Sequence, residues 1–214
     1  MEHRKRINMA NENQMGEKEL LNRALGGWRG LVDSALPSML FVLLFVLNHN
    51  LNLALIVSIV SGLILLVFRL IERKPLTQIL GGFFGLLFSV ILTWRTKDAS
   101  NFFLTGIITN FVYGIALFIS LIMKRPLLGY LVGSLVGDVS GWLKHPLLIR
   151  SYTTITWIWV GVFTLRVIVQ TPLYLSGNVA LLGPLKIFMG WPLYLFSAWI
   201  SYQIVQTARN KINS

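Results

Sequence analysis

Residues 152–174 read YTTITWIWVGVFTLRVIVQTPLY, a run of 23 residues with one charge, Arg166. A helix needs about 20 predominantly apolar residues to cross a bilayer, and this stretch has them. Trp159, Phe163, Arg166 and Gln170 recur at helical spacing, so the guanidinium and the amide share one face. That face is expected to point into a bundle, away from lipid. A charge so placed costs about 2.5–3.5 kcal/mol on an insertion scale and needs a physical reason.

The rest of the chain repeats the pattern. Of 214 residues, 55% are hydrophobic and 13% charged, against about 25% charged in a soluble domain. The fold class is therefore all-α, a polytopic helical membrane bundle. Spans are expected at 34–48, 51–71, 76–94, 102–123, 152–174 and 181–205, about six in all. Polar corners separate them: NHN at 48–50, ERKP at 72–75, RTKDASN at 95–101, KRP at 124–126 and SGN at 176–178. Residues 1–33 read as a polar tail with an amphipathic interfacial helix from about Gln14 to Val32, turning Leu20, Leu21, Leu25 and Trp28 to the membrane. No cleavable leader is expected there, because the segment lacks an apolar core. Residues 34–206 form the membrane domain and 207–214 a short tail.

The net charge of +11 admits nucleic acid or anionic lipid as partner. Its distribution decides. On a six-span layout Arg4, Lys5, Arg6, Lys18, Arg23, Arg29, Arg73, Lys74, Lys124, Arg125, Lys144, Arg150, Arg209 and Lys211 gather on one face. Arg95 and Lys97 fall on the other, with Lys186 near it. Such a bias puts both termini in the cytoplasm and offers a basic inner face to anionic lipid. No basic-aromatic binding pattern accompanies it, so nucleic acid is not expected.

The segment 127–150, LLGYLVGSLVGDVSGWLKHPLLIR, has glycine at every fourth position: Gly129, Gly133, Gly137 and Gly141. On one helix these make a smooth face for close helix packing. The run is short for a span, and crossing would carry Lys144 and Arg150 outward. A re-entrant or interfacial helix on the inner side is expected, with an extra crossing as the alternative. FRLIERKPLTQILGG (68–82) also echoes ISLIMKRPLLGYLVG (119–133), which suggests an internal repeat of the kind transporters contain.

Enzymatic chemistry finds few candidates. There is no cysteine, and His3, His49 and His145 lie in the tail and in loops. Neither HExxH nor GxSxG is present, so no catalytic group, metal or cofactor is expected. Two roles compete for Arg166. It could hold a small anionic or zwitterionic solute together with Gln170, Asn110 and Gln78, as in a transporter. It could instead be a structural tie, for which Asp98 is the best-placed carboxylate, pairing with Arg166 or Lys186 in a non-catalytic envelope scaffold.

The stretches RGLVDSALPSMLFV (29–42), RKPL, KRPL, GWLKHPLLIRSYTTITWIW (141–159), FTLRVIVQTPLYL (163–175) and LGPLKIFMGWPLY (182–194) occur in that order. Together they resemble the bacterial membrane-protein family called domain of unknown function 3159, over about Arg29 to Gln206. The architecture is more distantly similar to the intracellular septation protein A group. The resemblance implies a multi-pass protein of the bacterial inner membrane and no established activity. The string Arg166, Gln170, Pro172 matches the family pattern, whereas the apolar LLGYLVGSLVG departs from it.

Overall fold

The computed structural model describes residues 27–72, 76–136 and 140–213. Every regular element among them is a helix. In chain order these are α1 (Gly27–Asn48), α2 (Leu51–Ile71), α3 (Leu76–Thr96), α4 (Asn101–Ile122), α5 (Leu127–Val136), a 3-10 turn (Gly141–Lys144), α6 (Pro146–Leu175), α7 (Val179–Phe188) and α8 (Trp191–Asn213). The corners read from the sequence are where the helices stop. His49, Lys97 and Lys124 take positive φ at three of them, and Gly177 does so after α6, the left-handed residue with which helices commonly end. Asn50 then caps α2, its side chain accepting the Leu53 N–H at 3.1 Å.

Four stretches among the described residues are long and apolar enough to cross a membrane: Leu51–Phe68, Asn101–Ile122, Pro146–Leu175 and Val179–Ile212. Leu36–Asn48 and Phe83–Thr96 are shorter apolar helices. The chain is thus a helical membrane protein. The expected span at 181–205 is not one rod: α7 ends at Phe188 and α8 begins at Trp191. Gly190 marks the break, because a Cβ there would stand 2.9 Å from the Lys186 carbonyl oxygen. Pro192 follows in the first turn of α8, where its missing N–H is tolerated.

The glycine-rich segment also differs from a single helix. α5 has 10 residues, about 15 Å of rise, half of a hydrocarbon core of about 30 Å. Gly137 lies outside the described residues, and Gly141 opens the separate 3-10 turn. The four glycines therefore do not line one helix face. Gly129 instead seats an indole: a Cβ on it would meet Trp142 Cζ2 at 2.6 Å. Trp142, 1% exposed, is edge-on to Tyr130 and Tyr152 in a core with Leu148, Ile155, Val205 and Ala208.

The chain divides into two units, Met1–Leu86 and Leu87–Ser214. In the first, α1 packs on α2 around Phe41, Ala54 and Leu55. The fully buried Ser58 hydroxyl donates to the Pro37 carbonyl at 3.0 Å, and Ser61 donates to the Ser58 carbonyl at 2.9 Å. The interfacial-helix residues Leu20, Leu21 and Leu25 lie outside the described residues, and Trp28 falls within α1. In the second unit α6 is the central helix, packed against α4, α5, α7 and α8. The corners 72–75 and 124–126 lead into different structures, a 21-residue helix and a 10-residue one.

Candidate functional site

In the second unit, α4, α6, α7 and α8 bring a set of polar and aromatic side chains to one place. α6 carries Arg166 and Gln170, one helical turn apart, at 6% and 2% exposure. Arg166 Nε and Nη1, Gln170 Nε2 and Thr171 Oγ1 are buried with no hydrogen-bond partner among the described residues. The guanidinium carbon lies 4.7 Å from the centre of the Tyr194 ring.

The Tyr194 ring is fixed from two sides. It stacks on Trp159 with centroids 5.7 Å apart and packs on Phe163 at 6.1 Å. Its hydroxyl donates to Asn110 Oδ1 at 3.2 Å. Asn110 Nδ2 in turn donates to the Gly106 carbonyl at 2.7 Å, which orients the amide. Trp159 Nε1 donates to Ser201 Oγ at 3.1 Å, tying α6 to α8 about two turns further along α8.

Lys186, on α7, reaches the same neighbourhood. Its Cε lies 3.8 Å from where a Gly106 Cβ would stand. Its Nζ is over the rings of Phe102 and Phe103, 5.6 and 5.2 Å from their centres. Arg166, buried, and Lys186, half-buried, thus each lie against aromatic rings.

For Asp98, expected to pair with Arg166 or Lys186, the structure shows a different contact. The residue is exposed, and Oδ1 accepts the Ser100 N–H at 2.9 Å in the loop before α4. Among the described residues it forms no ion pair with Arg166 or Lys186. The polar link at this end of the bundle is uncharged: Tyr174 Oη donates to Asn101 Oδ1 at 2.7 Å, and Asn101 Nδ2 donates to Thr96 Oγ1 at 2.8 Å. Of the four residues proposed to hold a solute, the structure brings Arg166, Gln170 and Asn110 to one cluster. Gln78 belongs to α3 in the first unit, and its side chain lies outside the described residues.

Magnitudes show why the cluster is unusual for a packing contact. A central arginine costs about 2.5–3.5 kcal/mol on an insertion scale. A desolvated cation–π contact returns about 2 kcal/mol. Buried donors left without acceptors add about 1–3 kcal/mol each to the deficit. What the arrangement offers is an array of N–H donors and positive charge, suited to an anion. Among the described residues no group of three or more histidine, aspartate or glutamate side chains could hold a metal ion.

A groove of about 340 Å³ runs along α4 and α6 beside this cluster. Asn110, Gly114, Phe118, Trp157, Phe163 and Thr164 are among its walls. Phe118, Trp157 and Thr164 are exposed, so it opens to the outside of the bundle.

Tyr194 and Lys186 extend the cluster beyond the set read as solute-binding. Their signal was the four-residue spacing Lys186, Gly190, Tyr194, hidden because the helix breaks between them. Thr171 had no signal of its own.

The family described as protein of unknown function (DUF3159) matches residues 25–212. No curated protein and no solved structure matches the chain. The chain belongs to the DUF3159 family, whose description assigns it no activity.

Proposed function

We propose that this member of the family is a multi-pass, transporter-like protein of the bacterial inner membrane that binds a small anion or zwitterion at Arg166. The observation that supports this is a guanidinium at 6% exposure with Nε and Nη1 lacking acceptors. Buried donors without partners in a native fold call for a specific explanation, of which an ion is one. In this reading Arg166 holds the negative group and Tyr194 covers the guanidinium from the opposite face. Gln170 and Asn110 orient the ligand through their amides. The interruption between α7 and α8 gives a broken helix beside the site, as in transporters that bind near the bilayer midplane. In this reading six spans, a glycine-rich re-entrant or interfacial helix on the inner side and cytoplasmic termini complete the arrangement.

The experiment is a thermal-shift screen in detergent with inorganic phosphate, succinate and glutamate, on wild type and Arg166→Gln in parallel. The expected result is an anion that raises the wild-type melting temperature and leaves the variant unmoved. If no anion shifts the wild type and the variant melts lower, Arg166 is a structural tie. The protein is then better described as a non-catalytic envelope scaffold, the role that fits a distant likeness to the septation protein A group.

A further inference from the structure

The groove and the cation cluster are contiguous. Asn110 lines the groove and accepts the hydrogen bond of Tyr194, whose ring lies over Arg166. Phe163 lines the groove and packs on the same ring. On α6, Arg166 lies just beside the groove face, behind the groove-lining Phe163. A volume of about 340 Å³ is within the range of ligand-binding cavities. Apart from the Asn110 amide and the Thr164 hydroxyl, its walls are apolar or aromatic, and it opens to the side of the bundle. A free inorganic anion has no use for such a surface, whereas an acyl chain does. Charge complementarity fixes the other end, because the neighbouring polar groups are a guanidinium, an ammonium and an amide N–H.

From this geometry we infer that the ligand is an amphiphilic anion, with a phosphate-type head against Arg166 and Lys186 and an apolar chain in the groove between α4 and α6. The inference rests on the reading of Arg166 as the anion-holding group and adds the class of molecule. Entry is lateral, from the bilayer, through the side on which Phe118, Trp157 and Thr164 are exposed. Asn110, where groove and cluster meet, hydrogen-bonds the polar junction between head and chain.

The test measures binding to the detergent-solubilised full chain by titration with dioctanoyl phosphatidic acid, inorganic phosphate and dioctanoylglycerol. Thr164→Trp fills the groove from an exposed position on α6, and Arg166→Gln removes the charge. Wild type is expected to bind the lipid phosphate about tenfold or more tighter than inorganic phosphate. Thr164→Trp is expected to lose most of that preference while keeping its affinity for inorganic phosphate. Arg166→Gln weakens both ligands. Equal affinity for the two phosphates, unaffected by Thr164→Trp, overturns the amphiphile and leaves the anion site standing. Equal binding of phosphatidic acid and the uncharged diacylglycerol, with Arg166→Gln silent, overturns both readings. The unliganded melting temperature of Thr164→Trp, expected at the wild-type value, separates a blocked groove from a damaged fold.

Discussion

Between α1 and α2 the buried polar side chains among the described residues are two serines, and each hydroxyl has a carbonyl within 3.0 Å. In the α4–α6–α8 cluster they include a guanidinium and an amide with three nitrogen atoms that no described acceptor reaches. Both places bury polarity in an apolar helical setting, where satisfaction has to come from within the protein. The serines show how packing alone handles it: a small donor, a backbone acceptor and no charge. Arg166 departs from that pattern in size, charge and satisfaction together.

Three substitutions can break or sharpen the contrast. The largest effect is expected from Arg166→Met, which replaces an under-satisfied cation by an apolar chain of similar length. Without ligand it should stabilise the protein by about 1–3 kcal/mol, as replacing buried charges by packed apolar groups often does. Unfolding in the same detergent measures this, and a loss of stability would return Arg166 to the role of tie. Ser58→Ala should cost about 0.5–1.5 kcal/mol, the size of an ordinary intramolecular hydrogen bond or an interhelical one in lipid. A loss several times larger would mean that the α1–α2 contact is more than packing. Asp98→Ala should change stability by less than about 0.5 kcal/mol, as expected of an exposed position. A large drop would reveal a carboxylate–cation link at this end of the bundle.

The helix boundaries were largely legible because hydropathy and turn residues agree. The expected 51–71 is α2, and the expected 102–123 differs from α4 by one residue at each end. The break at Met189–Gly190 was not legible, since both flanks are apolar and Val179–Ile212 reads as one candidate span. The glycine spacing at 129–141 signalled close approach but not to what. The partner of Gly129 is the Trp142 ring, delivered by the separate 3-10 turn. For the site, Arg166 and Gln170 were readable as misfits in an apolar run. Tyr194 and Lys186 were not assignable to them, because only the tertiary fold sets α7 and α8 beside α6. Asp98 was singled out because carboxylates are scarce; its contact with the Ser100 N–H is set by the local turn, which spacing along the chain does not show.

The place of Arg166 within α6 bears on how the chain is made. At 30 residues, α6 is about 45 Å long, against a hydrocarbon core of about 30 Å, and Arg166 lies in its last third. The residues that surround the guanidinium do not arrive together. Asn110 is synthesised before it, while Tyr194 and Lys186 emerge only after the whole of α6 has left the ribosome. During that interval the arginine faces the insertion machinery without its aromatic cover. Cover by the Tyr194 ring is possible only once α8 has been made, so this contact comes late in assembly.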